Sequence, residues 1–204
     1  QGGGMSDIIQ GSPEWFAARL GCATASRFAD ILATTKSGPA ASRQNYLTQL
    51  VLERLTGTIA ESYTNAAMQW GTETEPLARA AFEAYTGEVV REVGFVKLGD
   101  WVGCSPDGLI GDDAGLEIKC PLPATHLETV LAKAMPAKHI AQVQGSMWVT
   151  GRKRWHFVSF DPRFPPHLHL FHTVIARDDV YIASLEKEVN TFLADVSATV
   201  ERLA

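Results

Sequence analysis

The chain has 204 residues, 46% of them hydrophobic and 20% charged, and a formal net charge of −5. That composition excludes a disordered, collagen-like or coiled-coil polypeptide and supplies enough apolar material for one sizeable core. The acidic balance excludes nucleic-acid binding through bulk positive charge, so any phosphate must be met locally or through a metal.

In chain order, Gln1-Gly2-Gly3-Gly4 reads as an appended remnant ahead of Met5, leaving residues 5–204 as a single domain. Ser12 as N-cap, Pro13 at the first helical position and Glu14 in the first turn predict a short helix through Leu20, ended by Gly21. Thr24 can cap a second helix that carries Phe28, Ile31 and Leu32, and residues 36–39 have loop chemistry. A third helix is expected over about 42–56, with Tyr46, Leu47, Leu50, Val51 and Leu55 inward and Gly57 just past its end. A longer one follows over about 65–86, closed by Gly87. Residues 88–98, with Val89, Val90, Val93, Phe95 and Val96, suit a strand, and 102–104, 108–110 and 115–120 suit short strands joined by Gly/Asp turns. Helix returns over 136–150, strands over 154–160 and 169–176, and an amphipathic helix closes the chain over about 179–203. Its apolar face holds Val180, Leu185, Val189, Phe192, Leu193 and Val196. This order describes an α/β domain, a mixed sheet with helices on its faces, with no repeat and no linker.

Three cysteines, Cys22, Cys104 and Cys120, cannot all pair and form no CxxC, which favours a reducing compartment over a disulfide-stapled secreted scaffold. No run approaches the roughly 18 apolar residues of a membrane span, so no membrane partner is expected.

The chemistry concentrates in Ser105-Pro106-Asp107-Gly108 and, after nine residues, Glu117-Ile118-Lys119. On a strand Glu117 and Lys119 project to one side and Ile118 to the other. The Pro-Asp-Gly turn can bring Asp107 back beside Glu117. Two carboxylates on one face are a hard-oxygen site for Mg²⁺, or Mn²⁺ in its place, and two such ions can stabilise both the attacking and the leaving oxygen of a phosphodiester. A lysine beside them would hold or deprotonate the attacking water. The same pattern also describes an edge strand guarded by an exposed Glu/Lys pair.

Four ordered segments go further: Trp15, Arg19, Gly21 and Thr24-Ala25-Ser26; Cys104-Ser105-Pro106-Asp107-Gly108; Leu116-Glu117-Ile118-Lys119-Cys120-Pro121; and Ala141-Gln142-Val143-Gln144 with Met147-Trp148. Together, from about residue 11 to the last helix, the chain resembles the lambda exonuclease family of viral recombinase exonucleases, within the PD-(D/E)xK nuclease superfamily. The resemblance implies a restriction-endonuclease-like core, a central mixed β-sheet flanked by helices. It implies Asp107, Glu117, the Ile118 carbonyl and Glu75 as metal ligands, Lys119 as the catalytic lysine, and Gln144 as the motif glutamine that helps place water or lysine. Arg19, Ser26 and Ser105 match residues that hold the 5′-phosphate of the end being degraded. It further implies processive 5′-to-3′ digestion of double-stranded DNA ends to mononucleotides, a homotrimeric ring, a single-strand annealing protein as partner, and a phage or prophage origin in a bacterial cytoplasm. Other readings are an endonuclease on the same fold and a non-catalytic DNA-end binding module.

Each residue also has a plainer reading. Glu75 can pair with Arg79 at i,i+4, with Glu73 as the alternative if the helix register differs. Ser26 and Ser105 can serve as turn residues, Arg19 as half of a surface ion pair, and Gln144 as a satisfied core amide. One position departs from the family pattern: four residues after Cys120-Pro121, where a basic residue belongs, stands Thr125, followed by His126. His167, His169 and His172 suggest a zinc site, although alternation would part His169 from His172. Trp148 and Trp155 can stack on bases or belong to the core, and Arg152-Lys153-Arg154 can touch phosphate or form a solvated edge.

Overall fold

The computed structural model describes residues 8–59 and 65–203, so the reading of residues 1–4 and of Met5 lies outside the described residues. Helix α1, Pro13–Arg19, begins as its sequence dictates: Ser12 caps it, its hydroxyl accepting the Trp15 N–H. Strand β1, Ala23–Thr24, leads through a single 3₁₀ turn into α2, Phe28–Leu32. Thr24 does not cap this segment with its side chain. Pairing of β1 with a later strand holds Thr24 extended, and its N–H donates to the Tyr46 hydroxyl instead.

A small hairpin, β2 (Thr34–Thr35) and β3 (Gly38–Pro39), occupies the expected loop and leads to α3, Ala41–Thr56. Tyr46, Leu47, Leu50 and Val51 are buried as expected, but Leu55 is 42% exposed. The inner face of α3 continues through buried Glu53, which accepts the Gly21 N–H, and this turns Leu55 outward. Helix α4, Ala66–Thr86, is capped by Asn65. Gly57 and Gly87 end α3 and α4 with φ of 66° and 74°, a region that side chains with a Cβ disfavour.

The single strand expected over 88–98 is two strands, β4 (Val90–Arg91) and β5 (Val96–Leu98), which pair in different sheets. Val89, counted among its apolar residues, is exposed. After these come β6 (Val102–Cys104), β7 (Gly108–Ile110) and β8 (Ala114–Lys119). Helix α5, Pro123–Ala132, was not among the expected elements; Pro123 stands at its first turn. A 3₁₀ turn then enters α6, Ile140–Thr150, followed by β9 (Arg154–Phe160), β10 (Leu170–Ala176) and α7 (Asp179–Glu201). On α7, Leu185, Val189, Phe192 and Val196 are buried, but Val180 is 85% exposed: the inward stripe begins at Ile182.

The expected central sheet is two mixed sheets. One runs β10-β9-β8-β7-β4, with β8 and β9 parallel and its other pairs antiparallel; the other runs β1-β6-β5. Strands β8 and β9 are buried on both faces, which explains their nearly continuous apolar runs. One core joins Phe28, Tyr46, Leu50 and Phe192 from α2, α3 and α7; another joins Phe82 of α4 to Leu116 and Ile118 of β8. Gly145 lets α6 approach α2: a Cβ there would lie 2.4 Å from the Phe28 ring. That contact fixes where α6 presents its polar face.

Candidate active site

A cleft of about 570 Å³ opens where the end of β8 meets α4, α6 and the segment from Gln10 to Ser26. The β7–β8 hairpin builds its floor. The Asp107 N–H donates to the Leu116 carbonyl, and the Asp107 carboxylate Oδ2 accepts the Ile118 N–H at 2.6 Å. The Pro-Asp-Gly turn therefore does fold Asp107 back against the end of β8. Strand alternation does the rest: Glu117 and Lys119 share one side, with Lys119 Nζ 2.6 Å from Glu117 Oε1, while Ile118 packs into the core behind.

Helices supply the walls. Gln142, in the first turn of α6, donates to Glu117 Oε1 at 2.8 Å and accepts from Lys119 Nζ at 3.2 Å, closing a ring of three polar side chains. Glu75 of α4 lines the opposite wall, whereas Glu73 is exposed and bonded to Gln69. The i,i+4 pair of Glu75 with Arg79 exists as well, at 2.6 Å. Arg79 also reaches the Asp107 carbonyl at 3.3 Å and Glu92 at 3.2 Å, so the pair braces Glu75 beside the Pro-Asp-Gly turn.

The electrostatics are those of crowded, enclosed carboxylates. Burial, then Glu117 and Glu75, push the Asp107 carboxyl well above its ordinary range. Burial raises Glu75 too, against the pull of Arg79. Burial works to lower Lys119, but Glu117, Asp107 and Glu75 outweigh it and hold the ammonium above its usual value. No group of three His, Cys, Asp or Glu among the described residues forms a ready cage for a metal. The donor set still fits Mg²⁺ or Mn²⁺, which keep several waters and need only one or two protein carboxylates. A divalent cation would offset both the cost of enclosing Asp107 and its repulsion from Glu117 and Glu75. Asp107, Glu117, the Ile118 carbonyl and Glu75 are the residues that would hold it.

The residues expected to meet a terminal phosphate lie on the same cleft. Arg19 stacks its guanidinium 3.8 Å above the Trp15 ring and makes no ion pair among the described residues. The Trp15 indole N–H donates to Ser105 Oγ at 2.9 Å, and Ser26 sits 3.4 Å from the Thr24 hydroxyl. Burial lowers the Arg19 pKa, against partial compensation from Tyr46 and Glu53.

Gln144, the expected motif glutamine, is not at the site. It is buried, donating to the Ala176 carbonyl at 2.9 Å and accepting the Asp178 N–H at 2.9 Å, where it ties β10 to α7. Two residues along a helix are about 200° apart, and the polar side of α6 runs through Gln142 and Ser146, which line the cleft together with the N-cap residue His139. Ser146, small and polar four residues after Gln142, was the signal in the sequence; Gln144 is followed at those spacings by Met147 and Trp148.

Several other candidates are structural. His126 cannot replace the missing base at position 125: it is fully buried between the Ser159 hydroxyl and the Leu168 carbonyl. Trp155 is fully buried and cannot stack on a base; Trp148 packs against Phe28. Arg152 spends its guanidinium on the carbonyls of Ile110, Gly111 and Ala114, and Arg154 pairs with Asp113. The histidine cluster is dispersed: His167 is exposed, His169 meets the Phe164 carbonyl, and His172 stacks on His156. Lys138 and His139 also line the cleft, and the sequence reading missed both.

Residues 14–153 match the YqaJ-like viral recombinase domain. Among solved structures, an alkaline exonuclease of Laribacter hongkongensis, LHK-Exo, is 49% identical, with a TM-score of 0.86, over 94% of this chain and 96% of that one. Its complex with dAMP matches over the same shares with a TM-score of 0.87. A phage-related exonuclease from Haemophilus somnus 129PT, 16% identical with a TM-score of 0.73 over 90% of this chain and 96% of that one, shares the fold. The uncharacterised protein ExoD of Escherichia coli K12 is 39% identical over 61 residues, 30% of this chain and 69% of that protein.

Proposed function

We propose, for a chain that belongs to the YqaJ-like viral recombinase domain family, a Mg²⁺-dependent exonuclease that degrades double-stranded DNA from an end. The observation that carries this reading is the convergence of Asp107, Glu117, Lys119, Gln142 and Glu75 on one cleft that also presents Arg19, which makes no ion pair among the described residues. The match to an alkaline exonuclease, one structure of which holds dAMP, supports DNA as substrate and a mononucleotide as product. In this reading the two-sheet core is of the restriction-endonuclease-like PD-(D/E)xK kind.

The roles follow from the geometry. When bound at the carboxylates, Mg²⁺ supplies electrophilic activation of the scissile phosphate and a more acidic water. Mn²⁺ can substitute, and two ions per site suit the three carboxylates. Lys119, held as an ammonium by Glu117, orients the attacking water and offsets negative charge as it develops on the phosphoryl oxygens. Gln142 keeps Lys119 and Glu117 in register by bonding both. Trp15 seats Arg19 on its ring face and holds Ser105 by its indole N–H, preparing a pocket with Ser26 for the 5′-phosphate. Digestion then runs 5′ to 3′ and leaves a 3′ single strand for a single-strand annealing protein. A homotrimeric ring around the duplex would give processivity without a basic surface, in keeping with the net charge of −5.

The test is a linear duplex labelled at one 5′ end and one 3′ end, with a closed circle as control, in Mg²⁺ and in EDTA. Release of the 5′ label as mononucleotide, in Mg²⁺ only and with the circle intact, is expected. Cutting of the circle moves the assignment to an endonuclease, and DNA bound without cleavage to an end-binding module.

A further inference from the structure

The active-site cleft does not close beyond its carboxylates. It runs on into a second groove of about 440 Å³ between α5 and the turn that enters α6. Thr125, Thr129, Pro136 and Lys138 line both, so they mark the passage from one to the other. Among the described residues, three Lys or Arg side chains line the cleft: Arg19, Lys119 and Lys138. Lys119 is bound to Glu117, and Arg19 lies across the cleft on α1. Lys138 is exposed and makes no ion pair or hydrogen bond among the described residues. Thr125, on the facing helix, brings no charge. The groove beyond has one acid among its lining residues, Glu128, which makes no ion pair with Lys138.

An anionic strand passing from the acidic centre into this groove would meet Lys138, the one cation at the passage among the described residues. We propose that Lys138 binds a phosphate of the DNA strand held in the cleft, taking the position across from the uncharged Thr125 and directing the strand into the α5–α6 groove. This rests on the nuclease reading and adds to it a contact outside the carboxylate centre. The ammonium sits on a short 3₁₀ turn whose next residue, His139, is anchored against Phe157, so its base is fixed while its tip remains free to reach the backbone. The ligand chemistry is a phosphate anion, either the terminal 5′-phosphate or an internal phosphodiester.

The test is the salt dependence of duplex binding in a Lys119→Ala background, with and without Lys138→Ala, on 5′-phosphorylated and on 5′-hydroxyl ends. Each phosphate contact contributes a slope of about −0.9 to log K against log salt. Lys138→Ala is expected to flatten that slope by about 0.9, a difference of roughly threefold in affinity change across a fourfold change of salt, and Lys138→Arg to restore it. Flattening on phosphorylated ends alone assigns the terminal phosphate; flattening on both assigns an internal one. Glu128→Gln should tighten binding. An unchanged slope on both ends overturns the proposal. It does so without touching the nuclease reading, which stands or falls on digestion by the unaltered protein.

Discussion

Lys119 and Glu117 are bonded to each other and to Gln142, and each of the three has a separable consequence. Lys119→Ala should abolish cleavage while DNA binding persists, measured by digestion and by gel retardation on the same preparation; equal loss of both would deny the lysine its role on water. The two glutamines of α6 should part. Gln142→Ala should cut the rate at saturating DNA by one to two orders of magnitude with the thermal midpoint nearly unchanged, because it loosens a positioned lysine that remains solvated at the cleft. Gln144→Ala should do the reverse, losing about 1–3 kcal/mol of stability, since it leaves the Asp178 N–H and Ala176 carbonyl without their partner. Urea unfolding beside a single-turnover assay checks both, and equal behaviour would refute the assignment of Gln142 to the site.

At the scale of elements, the site depends on how closely α6 lies against α2. Gly145 permits that approach, and the Phe28 ring it would strike is fully buried and cannot move aside cheaply. Gly145→Ala should therefore cost about 1–3 kcal/mol by overpacking. It should also lower the cleavage rate, because Gln142 rides on the same helix. Differential scanning calorimetry with a rate measurement tests the pairing; a destabilised but fully active variant would show that α6 adjusts without moving the site. The β7–β8 hairpin and the 88–98 segment illustrate what local pattern can reach. The alternation that placed Glu117 and Lys119 together is local and was readable. The split of 88–98 between two sheets depends on which partners each half meets, and its apolar pattern says nothing of that. Helix α5 shows no core stripe in its sequence, because its apolar residues Leu127 and Leu131 are exposed and serve the surface.

Over the whole molecule, enclosed imidazoles couple folding to pH. Burial, with Lys119 and Lys138, lowers His139 to about 4, and burial also lowers His156 and His172. Unfolded, these groups titrate near 6.5. Below that value the unfolded chain binds the extra protons, so their contribution is complete above about 6.5 and is lost as pH falls toward 4. Asp107 and Glu75 have raised values and act with the opposite sign in acid. A comparison with His139→Gln separates the two: relative to the unaltered protein, the variant should gain stability as pH falls from 6.5 to 5. Urea midpoints at pH 8, 6.5 and 5 measure this, and a constant difference would refute it.

The sequence by itself determined the family, the helix caps at Ser12, Gly57 and Gly87, and the placing of Asp107, Glu117 and Lys119 together. These are fixed by residues near one another in the chain, through capping geometry and the two-residue period of a strand. It could not determine which glutamine of α6 faces the carboxylates, whether His126 is available to a substrate, or that Arg152 is consumed by three carbonyls. Those outcomes depend on which face of a helix is turned inward and on what the opposing element offers to each polar atom. That is settled only when the sheets and helices pack, because a buried polar group must take whatever partner the assembled fold places within reach.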